Sequence, residues 1–142
     1  MAGRRAAITG WGAYVPEQVL TNQDLERMVD TSDEWIVTRT GIRERRIASP
    51  AETTLHMATI AARRAVAVAG IDPHQLDLIV FATVTPDLLM PATASLLQAE
   101  LGASRAGAFD LAAACSGFVY ALSVGAQFIA AGTADTVLVV GA

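Results

Sequence analysis

Residues 111–134 contain no charged side chain, and short β-branched apolar runs lie on either side of them. About 20 apolar residues are enough to cross a membrane, so a membrane span has to be weighed first. Ser116, Ser123, Gln127 and three glycines interrupt the stretch, and its flanks, Asp110 and Asp135, are both acidic. Those features favour a helix buried on all sides within a folded protein over a membrane span. A chain that encloses such a helix has to supply apolar layers around it.

The neighbouring segments supply some of them. "LDLIVFATVT" is the kind of run found in a strand covered on both faces, and "AGAFDLAA" and "DTVLVVGA" read as further strands. Between them, Leu55, Ala58, Ala62, Ala65, Val66 and Ala69 mark one face of a helix with Gly70 just past its end. Pro91 precedes a second helix through "ATASLLQAELG". Strands alternating with helices predict an α/β fold with a mixed, mostly parallel sheet flanked by helices. Upstream, "AAITGWGAYVP" reads as a first strand and "TNQDLERMV" as a short helix capped by Thr21. "TSDEWIVTRTG" reads as another helix, with Thr31 and Glu34 in capping-box spacing and Gly41 as its stop. "IRERRIASP" is expected to be a loop or an irregular extended piece. No linker, repeat or low-complexity segment is evident.

Composition bears on what surrounds the fold. Of 142 residues, 53% are hydrophobic and only 17% charged. A domain of this size has much surface to cover and ordinarily uses more polar residues to do so. Together with a final strand that ends at the last residue, this leads to the expectation that residues 1–142 form one half of a larger unit. The net charge of −4 offers no basic field for nucleic acid or anionic lipid. The N-terminal "MAGRRAAITGWGAYV" lacks a signal-peptide core, which makes the cytoplasm the expected location.

A single cysteine excludes an internal disulfide framework and any multi-cysteine metal site. Cys115 lies in "FDLAAACSGFVYAL", where a strand gives way to the uncharged helix. A buried cysteine is often only a small, inert hydrophobe. Here, however, three alanines precede it and Ser-Gly follows, so a tight turn with little side-chain bulk is available. At a helix N-terminus, unpaired N–H groups favour a thiolate, and such a thiolate can attack a thioester while nearby N–H groups hold the oxyanion. Local features alone leave both readings open. His56 and His74 read as surface or capping residues, and no carboxylate pair or metal-ligand spacing stands out. "GWGAYV" is not a dinucleotide loop, because Val15 replaces the last glycine and the segment does not open a helix. Arginines at 39, 43, 45 and 46 form either a solvated turn or a site for phosphates. Trp35 lies four residues before Arg39, on the same helix face, a pairing that can clamp a flat purine.

"DTSDEWIVTRTGIRERR" and "FDLAAACSGFVYALSV" resemble the β-ketoacyl-acyl-carrier-protein synthase III family, and the resemblance runs from "GAYVPEQVLTNQDLE" to "VLVVGA". It implies a thiolase-like fold, of which this chain is the N-terminal half, with Cys115 at the start of a central buried helix. It further implies that Cys115 takes an acyl group from acyl-CoA and passes it to the carbanion formed when malonyl-acyl-carrier protein loses CO2. By the same resemblance, Thr31, Trp35 and Arg39 bind CoA, and Met90 closes the acyl pocket of the partner in a homodimer. Acyl-CoA is then a substrate, and neither a cofactor nor a metal is expected. The family's decarboxylation residues, a histidine and an asparagine, belong to the C-terminal half, and neither His56 nor His74 replaces them. Two alternatives remain at this point. One is a secondary-metabolite acyltransferase related to synthase III, and the other is a non-catalytic half-domain that binds CoA.

Overall fold

The structure, a computed structural model, describes residues 4–142. The first three residues of the segment read for a leader therefore lie outside the described residues. The chain forms two compact units, one of residues 4–14 with Thr54–Ala142 and the other of Val15–Thr53. The sequence had been read as one half-domain without a division.

The smaller unit is held by polar contacts more than by apolar ones. Its strands β1 (Gln18–Thr21) and β2 (Glu44–Ile47) pair antiparallel, with Gln18 opposite Ile47 and Thr21 opposite Glu44. Between them come α1 (Asn22–Glu26) and α2 (Asp33–Thr40). Thr21 caps α1 as expected, in a reciprocal box with Asp24. The cap of α2 is Ser32 instead of Thr31, its hydroxyl accepting the Trp35 N–H at 3.1 Å. Gly41 ends α2 with φ of 72°, a conformation that glycine adopts without strain. At the centre, the fully buried Asn22 side chain donates to Asp33 at 2.7 Å and to the Ile42 carbonyl at 2.9 Å, and it accepts from Arg45. Every capacity that a buried amide must satisfy is used except one lone pair. Within "IRERRIASP", expected to be a loop or an irregular extended piece, Glu44–Ile47 is extended and regular, held by its ladder to β1 and by the bond from Arg45 to Asn22.

The larger unit is a three-layer α/β arrangement. Strands β3 (Leu78–Ala82), β4 (Gly107–Leu111) and β5 (Val137–Gly141) form a parallel sheet in the order β4-β3-β5. Leu78 is level with Gly107 and Val137, and Ala82 with Leu111 and Gly141. All five residues of β3 are buried. Because side chains alternate along a strand, Ile79 and Phe81 face one layer and Leu78, Val80 and Ala82 the other. Helices α3 (Thr54–Ala69) and α4 (Thr93–Leu101) cover the first face through Ala58, Ala62, Val66, Leu97 and Leu101. The predicted face of α3 is therefore the one that packs.

Helix α5 (Gly117–Ala131) covers the second face. It was expected to be buried all round only within the larger unit; in this chain Gly117, Ala121 and Gly125 are covered, while Phe118, Val119 and Tyr120 are 49, 62 and 55% exposed. The buried stripe is made of small residues because the sheet comes close. A Cβ on Gly125 would lie 3.1 Å from a Val137 methyl, and one on Gly117 would lie 3.2 Å from the Ala82 Cβ.

Residues 6–16, expected to form the first strand, are not in a β-ladder. Their glycines serve another purpose. A Cβ on Gly10 would stand 2.3 Å from the Ala65 carbonyl oxygen, and one on Gly12 would stand 2.2 Å from that of Ala61. This stretch of backbone lies directly against α3, where no larger residue fits.

Candidate active site

Parallel strands place all their C-terminal ends on one edge of the sheet, which is where α/β folds bind ligands. Two of the residues singled out in the sequence are reached from that edge. Cys115 follows the end of β4, and Met90 lies in the connection from β3 to α4.

The chain leaves β4 through Ala112 and Ala113 into a single 3₁₀ turn, Ala114–Ser116, before α5 begins at Gly117. Cys115 therefore precedes the long helix by one short turn and is not part of it. Ala114 has φ of 46°, a left-handed conformation for a residue with a Cβ, and it is the non-glycine residue with positive φ among those described. Such a residue stores roughly 1–2 kcal/mol of strain. The turn is closed by the Ser116 N–H donating to the Ala113 carbonyl at 3.1 Å. Cys115 is exposed in this chain, unlike the buried, inert cysteine that composition alone would have allowed. Ser116 stands at the N-cap of α5, but its side chain makes no capping hydrogen bond, so the first-turn N–H groups receive no acceptor from it.

Met90 is 83% exposed and is joined to Pro91 by a cis peptide bond. Its neighbours Leu88 and Leu89 are exposed too. The histidines lie elsewhere. His74 sits in the 3₁₀ turn that leads into β3, at the opposite end of that strand, and its Nδ1 is 2.9 Å from Asp72. His56, on the first turn of α3, meets the Tyr14 ring edge-on at 6.3 Å. Both are exposed, as expected of surface or capping positions.

In the smaller unit, Trp35 and Arg39 do come together on α2. The guanidinium carbon stands 5.0 Å from the centre of the indole, within cation–π range. Trp35 is 55% exposed, unusual for so large an apolar ring, and its ring forms a wall shared by two adjoining clefts. Ser32, Glu34, Thr38 and Arg39 line one of them, and Val29, Asp30, Thr31 and Ser32 line the other. Thr31 thus borders this site even though it does not cap the helix. The sequence reading missed Asp87 and Asp110, whose carboxylates hold helix starts far away in sequence. Only their position in the fold reveals that.

The sequence model of the family described as 3-oxoacyl-[acyl-carrier-protein (ACP)] synthase III matches residues 109–142, the segment that carries Cys115. Across 97% of its length the chain is 63% identical to the β-ketoacyl-[acyl-carrier-protein] synthase III of Symbiobacterium thermophilum. The chain resembles synthase III enzymes along almost its whole length. A solved 3-oxoacyl-[acyl-carrier-protein] synthase III from Aquifex aeolicus superposes with a TM-score of 0.93 at 56% identity, covering 99% of this chain and 44% of that one. The priming β-ketosynthase of the R1128 polyketide pathway gives the same TM-score at 44% identity, covering 99% of this chain and 42% of that one. These likenesses bear out the thiolase-like α/β fold expected from the sequence. The chain spans 42% of the length of its Symbiobacterium synthase III relative, within the N-terminal half.

Proposed function

We propose that the protein to which this chain contributes is an acyltransferase that starts fatty acid synthesis by condensing an acyl group with malonyl-acyl-carrier protein. The observation that carries this reading is the exposed Cys115 on a strained turn at the C-terminal edge of a parallel sheet, inside the segment that matches the family.

In the proposed scheme the Cys115 thiolate adds to the carbonyl carbon of an acyl-CoA thioester. The tetrahedral oxyanion collapses, the bond to the CoA sulfur breaks, and CoA leaves as its thiol after taking up a proton. The N–H groups at the head of α5, which receive no side-chain cap, are candidate donors to that oxyanion, and one well-placed donor of this kind is typically worth ~10²–10³ in rate. Malonyl-acyl-carrier protein then loses CO2, and the electron pair of the broken bond becomes an enolate. Its α-carbon attacks the acyl-Cys115 carbonyl, the thiolate is expelled, and a β-ketoacyl-acyl-carrier protein results. The histidine and asparagine that the family uses for decarboxylation would come from the C-terminal half. Acyl-CoA enters as substrate, and the scheme calls for no further cofactor.

Trp35, Arg39 and Thr31 are assigned to CoA. The indole offers a stacking face and the guanidinium a second layer, so a purine could lie between them once Arg39 swings off the ring. Met90 is assigned to the acyl pocket of the partner in a homodimer, and the enzyme to the cytoplasm. The likeness to a priming β-ketosynthase favours a second reading with the same acylation step, in which a polyketide carrier protein supplies the extender unit.

The test is made on the full-length enzyme. Incubation with acetyl-CoA should add one acetyl group to the peptide containing Cys115, and Cys115→Ala should abolish the addition. Acetylation of a different residue that survives in Cys115→Ala would reject the scheme. Comparing malonyl groups on fatty-acid and polyketide carrier proteins then separates the two readings.

A further inference from the structure

Leu88, Leu89 and Met90 stand together in the β3–α4 connection at 53, 90 and 83% exposure. In a free loop, long apolar side chains spread over many rotamers and backbone states. Here the backbone is fastened on both sides of the tip, each time by a carboxylate. Upstream, Asp87 reaches the start of α3, where one oxygen accepts the Thr54 N–H at 3.0 Å and the other the Leu55 N–H at 2.8 Å. The Thr54 hydroxyl adds a bond to the Thr85 carbonyl at 2.9 Å. Downstream, α4 has Ala92 at its N-cap and no side-chain cap of its own. Asp110, on β4, takes that role, accepting the Thr93 N–H at 2.8 Å and the Ala94 N–H at 2.7 Å. Asp110 also belongs to the strand that runs directly into the Cys115 turn.

We propose that Asp87 and Asp110 are positioning residues that fix the Leu88–Leu89–Met90 tip, which under the assignment above closes the acyl pocket of the partner subunit, and so set which acyl chains the enzyme accepts. The proposal rests on the acyl-transfer reading above and adds to it the groups that hold the selecting loop. Each carboxylate makes two charge-assisted bonds to N–H groups at the positive end of a helix. An asparagine of the same shape keeps one acceptor oxygen and turns an NH2 group toward the second N–H. The tip is then tied by one bond where it had two, and discrimination by its side chains loosens.

Asp77 provides the control. It also accepts two backbone N–H groups, from Asp135 and Thr136, but at the opposite end of the sheet. The experiment measures kcat/KM for acetyl-, butyryl- and octanoyl-CoA in full-length Asp87→Asn, Asp110→Asn, Asp77→Asn and Met90→Ala, with Asp87→Ser as a second variant at that site. Thermal midpoints and inhibition by free CoA are recorded alongside. Asp87→Asn and Asp110→Asn should each change the octanoyl-to-acetyl ratio by about fivefold or more with little change in CoA inhibition, a shift typical of losing one positioning contact. Asp77→Asn should lower the thermal midpoint and leave the ratio alone. A ratio unmoved in every Asp87 and Asp110 variant overturns the clamp, whatever Met90→Ala does. A ratio that moves in those variants but not in Met90→Ala supports the clamp and shifts selection to the two leucines. A parent enzyme that takes no acyl group on Cys115 overturns the acyl-transfer reading, and the proposal with it.

Discussion

The Asp77 carboxylate accepts the backbone N–H of Thr136 at 3.0 Å, fastening the entry of β5 to the entry of β3. The same oxygen accepts the Asp135 N–H at 2.8 Å, and Arg105 adds a favourable charge. These donors hold the Asp77 carboxyl below its ordinary value of 3.8, the two backbone N–H groups having the larger effect. Hydrogen bonds to Thr21 lower Asp24, and those to His74 lower Asp72, in the same way. A carboxylate whose folded pKa is depressed contributes stability that is complete above the unfolded value and is lost as pH falls through the folded one. Stability should therefore decline below about pH 4. Asp77→Asn should flatten part of that decline, with little difference between the two proteins left at the acid extreme. Urea unfolding from pH 2.5 to 7 measures this, and an unchanged pH slope in the variant would refute the assignment.

Relieving the strain at Ala114 should trade rate for stability. Ala114 is exposed, so Ala114→Gly removes little buried surface while freeing a φ of 46°. Stability of the full-length enzyme should rise by about 1 kcal/mol. The rate of Cys115 acylation should fall, because a glycine turn holds the sulfur less firmly. Stopped-flow acylation and chemical denaturation, run on the same preparation, give both quantities.

Asn22 should be intolerant of apolar replacement. Asn22→Leu leaves the Asp33 carboxylate, the Ile42 carbonyl and the Arg45 guanidinium without their shared partner. The loss should be about 2–3 kcal/mol, and Asn22→Asp should fare no better, because it keeps the bond from Arg45 but sets a second carboxylate against Asp33 and the Ile42 carbonyl. Under the CoA assignment, both variants should also weaken CoA binding, since Asp33 opens the helix that carries Trp35.

If CoA lies on Trp35, adding it should change the emission of that indole. Residues 1–142 hold a second tryptophan, Trp11, so Trp11→Phe removes the other indole of this segment. Trp35→Ala should raise the Kd of CoA roughly tenfold, in line with the loss of one base-stacking contact. The KM for malonyl-carrier protein should stay unchanged. Equal effects on both substrates would make Trp35 a structural residue.

Where sequence and structure agree, the signal was apolar periodicity or small-residue crowding. The face of α3, the fully buried β3 and the tight turn at Cys115 are each written in consecutive residues. The β1–β2 pair was not legible, because "QVLT" and "ERRI" carry no apolar alternation and become strands only through each other. The apolar "AAITGWGAYV" misled in the opposite direction, since its glycines mark contact with a helix backbone and its residues join no ladder. At Thr31 and Ser32, two adjacent hydroxyls offered equivalent caps, and the backbone geometry chose the second. Trp35 and Arg39 were found because helical spacing alone places them together. Asp87 and Asp110 were missed because their partners lie 16 to 33 residues away.

The stripe of Gly117, Ala121 and Gly125 has a mechanical consequence for the nucleophile. With hydrogen atoms for side chains at two of its three buried positions, α5 rides close on β3 and β5. Cys115 is joined to that helix by a single turn, so the thickness of the stripe works as a shim that sets the height of the sulfur above the strands. A methyl at position 125 wedges the middle of the helix against Val137 and Val139, and the near end tips with it. A methyl at position 117 lifts the near end directly off Ala82. The level of the reactive atom can thus be tuned by small changes buried beneath the helix, leaving the residues that meet the substrate untouched.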